Sequence, residues 1–167
     1  SAHTEIREYI RNARSSAYME KDFITALKNE LSSFEEMTGL SVRLDIPDKL
    51  TGEELKPNAR INVLNIVKEA LNNIRKHAHA ENVNIIFSLS QEQLCVVVED
   101  DGKGFDTLQS YSTIKTKFGL DIIRERVSDI GGQIDIKSTV GKGSRIVLCV
   151  PVEEGGKKNA SEIDAGR

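Results

Sequence analysis

Apolar residues recur every three or four positions in four segments of the chain, the spacing that places them on one face of an α-helix. The segments cover residues 2–17, 22–38, 57–78 and 120–130. The apolar positions of the longest segment, 57–78, are Leu64, Val67, Leu71, Ile74 and Ala78. The sequence therefore predicts four helices. The third packs on the core, and the first has a narrow apolar stripe suited to a helix bundle.

The ends of the predicted helices carry suitable residue types. Asp22 can cap the second helix, and Gly39 can end it. Pro57 fits the first turn of the third helix, and Gly131 and Gly132 follow the fourth.

Alternating apolar and polar positions predict five strands. They cover residues 42–46, 83–89, 94–98, 133–137 and 145–150. The strand 94–98 is apolar throughout, which predicts burial on both of its faces. Because short turns join most of the strands, we expect an α+β fold, a two-layer sandwich with a mixed, mostly antiparallel sheet and helices on one face.

Composition and charge narrow the class of protein. With 167 residues, 38% hydrophobic and 29% charged, the chain suits one soluble globular domain, and no apolar run is long enough to span a membrane. We therefore expect a cytoplasmic fragment. The net charge of -3 disfavours a nucleic-acid surface. Cys95 and Cys149 lie in runs of β-branched residues without CxxC spacing, which predicts small buried side chains rather than a disulfide or metal ligands.

A polar stripe runs along the third predicted helix. Glu69, Asn73 and Lys76 are spaced at i, i+4 and i+7, and Asn62 and Asn65 fall on the same side. A solvated outer face is one interpretation. A binding face is the other, because an Asn oxygen is a hard ligand suited to Mg²⁺ and a nearby Glu can polarise a water or act as a base.

Two glycine-containing turns follow buried strands. Asp100, Gly102 and Gly104 form either a strand-ending turn or one side of a purine pocket, since a carboxylate can accept a hydrogen bond from the exocyclic amine of adenine. The second turn, 141–144, suits a hairpin. Neither turn has the Gly-Lys-Ser/Thr helix start of a P-loop. Between them, residues 103–118 lack a sustained period and predict a lid-like loop.

Taken in order, these clusters resemble the N, G1 and G2 boxes of the GHKL ATPase superfamily, which includes DNA gyrase and the histidine kinases. The resemblance covers about residues 57–150, with the N box at 69–78, G1 at 98–105 and a G2 element at 141–144. The segment from Gly119 through Arg124 to Arg126 is similar to a helix start of histidine kinases that signal to NarL-type response regulators.

The resemblance implies a Bergerat fold that binds ATP and Mg²⁺. Asn73 would ligate Mg²⁺, and Asp100 would bind the adenine amino group. Lys117 stands where many relatives have glycine at the end of the lid, and it could contact phosphate as a point charge. The remaining implied nucleotide contacts are Gly102, Gly104, Gly119, Leu120, Gly141, Gly143 and Ser144, and the implied catalytic residues are Glu69, Lys76 and His77.

The implied function is that of the ATP-binding catalytic domain of a sensor histidine kinase, which transfers the γ-phosphoryl group of ATP to a histidine on the adjoining domain. Residues 1–18 would end the dimerisation and phosphotransfer helix, 19–152 would form the ATP domain, and 153–167 would be a disordered tail. His3 lacks the following acidic residue of a phosphoacceptor. We therefore expect the acceptor outside these residues.

The implied partners are a NarL-type response regulator and a second copy of the full-length protein, which could be membrane-anchored outside this fragment. Two alternatives stay open. One is an anti-sigma-factor-type serine kinase or another GHKL ATPase, and the other is a kinase-inactive module that binds nucleotide or a partner.

Overall fold

A computed structural model describes residues 22–108 and 119–153. Several features of the sequence analysis lie outside the described residues. They are the predicted helix at 2–17, His3, Lys117 and all of the predicted tail except its first residue.

The described helices match the predicted periodic segments. They are α1 (Phe23–Thr38), α2 (Pro57–Asn73) and α3 (Leu120–Asp129). The Asp22 carboxylate accepts a hydrogen bond from the Thr25 amide at 3.2 Å, and Gly39 ends α1 with a φ of 73°. A single π-helical turn, Ile74–Ala78, continues α2 and ends at His79, whose φ is 49°. Among the described residues, no helix combines the length and apolar character required to cross a membrane.

In the described part of the chain, five strands form one sheet. They are β1 (Ser41–Asp45), β2 (Asn82–Leu89), β3 (Gln93–Asp100), β4 (Gln133–Thr139) and β5 (Gly143–Pro151), in the spatial order β1-β2-β3-β5-β4. The β1-β2 pair is parallel and the other three pairs are antiparallel. The predicted mixed, mostly antiparallel sheet and the hairpin between β2 and β3 are therefore confirmed.

The core lies between the helices and one face of the sheet. Val67 and Leu71 of α2 and Ile85, Leu94 and Val96 of the sheet are each 2% exposed or less. The predicted burial of 94–98 on both faces is wrong, because β3 alternates between buried and half-buried positions. A short apolar run does not encode which of its faces a neighbouring layer covers.

The prediction for the two cysteines is also wrong. Cys95 and Cys149 occupy directly paired positions on β3 and β5, their Cα atoms are 4.1 Å apart, and they form a disulfide. Both are half-buried rather than buried. They are 54 residues apart in the sequence, so only the pairing of the two strands brings them together.

Asn62 departs from the predicted polar stripe. It is only 8% exposed, and its amide nitrogen donates to the Asn58 carbonyl oxygen at 2.9 Å and to Asn58 Oδ1 at 3.2 Å. A hydrogen bond to the preceding turn of the helix satisfies this amide inside the fold.

Candidate functional site

An open cleft lies between α2, the start of α3 and the ends of the central strands. The lining residues are Ala70, Asn73, Ile74, His77, Ala78, Val98, Asp100, Lys103, Gly104, Phe105, Leu120, Ile136, Ser144 and Ile146. An apolar slot with a few polar groups suits a flat, partly polar ligand.

The end of α2 brings two predicted residues to the cleft. Asn73 closes the α-helix, and His77 lies four residues later in the π-helical turn, so both face the same side. A π-helical turn within a helix is rare and is often found at functional sites. Lys76 is exposed and does not line the cleft.

Two adjacent aspartates have different roles. Asp100 ends β3 and faces the cleft, and its Oδ1 accepts a hydrogen bond from the Gly102 amide at 2.8 Å. Burial raises the pKa of Asp100, assisted by the neighbouring Asp101 charge and opposed by the Gly102 and Ser144 amides. A carboxylate held half-buried in this way favours a ligand that donates a hydrogen bond to it.

Asp101 does not line the cleft, and it ties the turn to the start of β2. Its Oδ1 accepts from the Glu81 and Asn82 amides, both at 2.9 Å, and its Oδ2 accepts from the Asn82 side-chain amide at 2.8 Å. Hydrogen bonds from Asn82, first its backbone amide and then its side chain, lower the pKa of Asp101. Asp101 therefore holds the loop that presents Asp100.

The loop after β3 is packed backbone against backbone. A Cβ on Gly102 would lie 2.2 Å from the Ala78 carbonyl oxygen, and one on Gly104 would lie 2.1 Å from the Thr139 carbonyl oxygen. A Cβ on Gly143 would lie 1.9 Å from the Asp100 carbonyl oxygen. These three glycines are therefore required by close approach of the backbone. The resemblance instead implied that Gly102 and Gly104 shape the base pocket and that Gly143 contacts the nucleotide.

Backbone hydrogen bonds join the same segments. The Lys103 amide donates to the Ala78 carbonyl oxygen at 2.7 Å, and the Gly141 amide donates to the Lys103 carbonyl oxygen at 2.7 Å. We call the three joined segments, residues 78, 102–104 and 139–143, the backbone clamp. Gly141 itself has a φ of 79°, and within the described part of the chain no atom would come within 4 Å of a Cβ added there, so its role is that of a turn residue.

Ser138 is a supporting residue that the sequence interpretation missed. Its hydroxyl accepts from the Phe105 amide at 2.8 Å and lies 3.1 Å from the Gly143 carbonyl oxygen and 2.9 Å from the Ser144 hydroxyl. It therefore links the loop after β3 to both strands of the last hairpin. The role of Ser138 follows from its pairing with Ser144 across β4 and β5. The sequence does not show this pairing.

The start of α3 closes one side of the cleft. Leu120 is 7% exposed and lines the cleft, and Gly119 precedes it with a φ of 60°. Glu69 does not line the cleft, and its Oε1 lies 3.1 Å from the position of a Cβ on Gly119. Lys117 lies outside the described residues.

The predicted site residues within the described part of the chain thus divide into three groups. Asn73, His77, Asp100, Gly104, Leu120 and Ser144 line the cleft. Gly102 and Gly143 support its loops, and Glu69, Lys76, Gly119 and Gly141 stand beside it. The sequence interpretation missed Lys103 and Phe105, although both lie within the Gly-containing motif.

Comparison with known proteins adds to this geometry. Residues 58–154 match the family described as "Histidine kinase-, DNA gyrase B-, and HSP90-like ATPase". The chain is 33% identical over 152 residues to the signal transduction histidine-protein kinase/phosphatase DegS of Brevibacillus brevis, covering 91% of this chain and 38% of that protein. It is 30% identical over 167 residues to the sensor histidine kinase LiaS of Bacillus subtilis (strain 168), covering 98% of this chain and 44% of that protein.

A solved structure shares the fold. The histidine kinase domain from the Erythrobacter litoralis EL346 blue-light activated histidine kinase has a TM-score of 0.64 at 22% identity, covering 78% of this chain and 61% of that chain. The chain spans less than half the length of the two curated relatives.

Proposed function

Because the chain belongs to the family of histidine kinase-, DNA gyrase B- and HSP90-like ATPases, we propose that it is the ATP-binding catalytic domain of a sensor histidine kinase. In this proposal it transfers the γ-phosphoryl group of ATP to a histidine on an adjoining domain. Both curated relatives are named as histidine kinases, which supports this choice within the family. The observation that carries it is Asp100, a half-buried carboxylate on the wall of the cleft.

Asp100 is proposed to recognise the adenine amino group. The Gly102 amide already donates to its Oδ1, which fixes the orientation of the carboxylate. Val98, Ile136 and Ile146 are paired neighbours on adjacent strands and supply an apolar wall on the sheet side. Ala70 and Ile74 line the cleft from the helix side. A flat base fits against these apolar residues while its exocyclic amine donates to Asp100, and guanine, which carries a carbonyl oxygen at that position, does not.

Asn73 is proposed to ligate Mg²⁺. Among residues 22–108 and 119–153, no group of three or more His, Cys, Asp or Glu side chains could hold a metal ion. The protein would therefore supply few ligands, which fits Mg²⁺ because this ion takes most of its oxygens from phosphates and water. When bound, Mg²⁺ neutralises charge on the phosphates.

His77 is proposed to face the phosphates, since it lines the cleft one turn beyond Asn73. Lys76 remains a candidate for the same role, although its side chain is exposed beside the cleft. Phosphoryl transfer depends mainly on positioning and charge neutralisation, so basic groups near the phosphates are the contribution expected of this chain.

Titration with a fluorescent ATP analogue, with and without Mg²⁺, tests the nucleotide site. The chain has no tryptophan, so the analogue is read without a tryptophan background. Asn73→Ala should remove the gain in affinity that Mg²⁺ gives. Asn72→Ala is the matched control, because Asn72 is outside the cleft and bonds Arg75 at 2.8 Å. Unchanged magnesium-dependent affinity in Asn73→Ala would overturn the assignment.

The full-length protein tests the reaction. Incubation with labelled ATP should give an acid-labile phosphate on histidine, which a NarL-type response regulator should then accept. An acid-stable phosphate on a serine-containing partner would contradict the proposal and support the serine-kinase alternative. Nucleotide binding without any transfer, in a protein shown to be homodimeric, would contradict it in favour of a kinase-inactive module.

A further inference from the structure

The side chain of Glu69 lies against the start of α3. A Cβ on Gly119 would be 3.1 Å from Glu69 Oε1 and 3.8 Å from its Cδ. The carboxylate therefore lies next to the space that a side chain on Gly119 would fill. Gly119 also has a φ of 60°, a conformation that glycine adopts at low cost.

Gly119 is the N-cap residue of α3 and has no side chain with which to accept a hydrogen bond. The first amides of a helix lack acceptors within the helix, and the helix dipole makes this end attractive to negative charge. Asp121 supplies one negative charge from the first turn of α3 itself. The Glu69 carboxylate brings a second one close to this end from α2.

This contact joins two walls of the cleft. Leu120 directly follows Gly119 and lines the cleft from α3, while Asn73 stands one turn after Glu69 and lines it from α2. Glu69 itself is not among the lining residues. A base acting on the reacting group must come within hydrogen-bonding reach of it, and the position of Glu69 favours a role through the helix instead.

We propose that Glu69 is a positioning residue. Its carboxylate holds the start of α3 against α2 and so sets the distance between Leu120 and Asn73 across the cleft. This assignment rests on the proposed ATP site, and it replaces the role of general base suggested by the sequence. Glycine is required at 119 both for its backbone conformation and for the approach of the carboxylate.

Separate measurement of the KM for ATP and of kcat tests the proposal. In the full-length protein, Glu69→Gln should raise the KM for ATP by about two- to fivefold, the effect of one charge at a helix terminus, with kcat nearly unchanged. Glu125→Gln is the matched control, because Glu125 is an exposed carboxylate on α3. A general base would give the opposite pattern, with affinity unchanged and kcat lower by about a hundredfold or more.

A double-mutant cycle tests the contact itself. Gly119→Ala brings a methyl group against the carboxylate, so part of its effect on ATP affinity should disappear in the Glu69→Ala background. Strictly additive effects would overturn the proposal. Far-UV circular dichroism checks that each variant folds. If wild type binds ATP through Asn73 but Glu69→Gln loses only turnover, the positioning role fails while the ATP site stands.

Discussion

Replacement of Gly102 by alanine should lower the free energy of unfolding of the domain through one close contact, with Ala78. The added Cβ would lie 2.2 Å from the Ala78 carbonyl oxygen and 2.8 Å from both the Ala78 carbonyl carbon and its Cβ. Real contacts of this kind are not found below 3.0 Å, so the loop must withdraw by at least 0.8 Å. The nearest opposing atoms belong to the backbone of Ala78, and its Cβ is fixed to that backbone, so none of them can rotate away as the end of a flexible side chain can.

The energetic cost follows from what this withdrawal breaks. The Lys103 amide now donates to the same Ala78 oxygen at 2.7 Å, and moving it by 0.8 Å takes it to the limit of a hydrogen bond. The lost bond costs about 0.5–1.5 kcal/mol. Residual overpacking adds about 1–3 kcal/mol. We expect the free energy of unfolding to fall by about 2–4 kcal/mol from these two contributions together.

Gly141→Ala is the matched control, because it separates backbone strain from close approach. Gly141 has a φ of 79° but no described atom within 4 Å of an added Cβ, so alanine there costs only the left-handed conformation, about 1–2 kcal/mol. Urea unfolding followed by far-UV circular dichroism measures both variants. A Gly102→Ala variant within about 0.5 kcal/mol of wild type, the usual range for a harmless surface change, would refute the predicted clash.

Three further predictions concern charge and covalent linkage. Burial raises the pKa of Asp100, so the neutral form is favoured in the folded state and the associated stability is lost as pH rises through that pKa. Asp100→Asn should therefore leave the free energy of unfolding at neutral pH unchanged or raise it. Its ATP affinity should fall by about 1–3 kcal/mol. Equal losses of affinity for ATP and GTP in titrations would contradict adenine recognition. Asp101 has a lowered pKa, so its stabilisation is lost as pH falls through that pKa. Asp101→Ala removes the hydrogen bonds from Glu81 and Asn82 and should lower the free energy of unfolding by about 1 kcal/mol near neutral pH. Its unfolding curves should converge with those of wild type in acid, and a gap that widens there would count against this. Reduction of the Cys95–Cys149 disulfide, or Cys95→Ser, should lower the free energy of unfolding by about 2–4 kcal/mol. Thiol titration of the unreduced, denatured protein should find no free thiol. Two free thiols would contradict the disulfide.

The sequence was sufficient to predict the elements whose cause is local. The core face of α2 appears as a periodic pattern, and Asp22 and Gly39 mark the ends of α1 by their residue types. Asp100 was also identified, because a carboxylate and two glycines follow a strand directly. These features depend on neighbours within a few positions, which a single sequence records.

The features that were missed depend on contacts between distant segments. The disulfide joins residues 54 apart, and the partner of Ser138 is on another strand. Asn62 was placed on the polar stripe by its spacing. Its amide is satisfied by the carbonyl oxygen of the preceding turn. Every helix offers such an acceptor, so nothing in the sequence marks this asparagine as buried. The π-helical turn at Ile74–Ala78 was also not predicted, and its last residue accepts a hydrogen bond from Lys103 in the loop after β3.

The backbone clamp has a consequence for how this domain can be altered. Its segments meet through carbonyl oxygens, amides and glycines, so the side chains of Lys103 and Lys142 extend from it without holding it together. Charge at the rim can therefore be exchanged, for instance to retune preference among anionic ligands. Insertion or deletion of one residue in 100–104 or 139–143 would shift every one of these contacts. In directed evolution, these loops should accept changes of chemistry and reject changes of length.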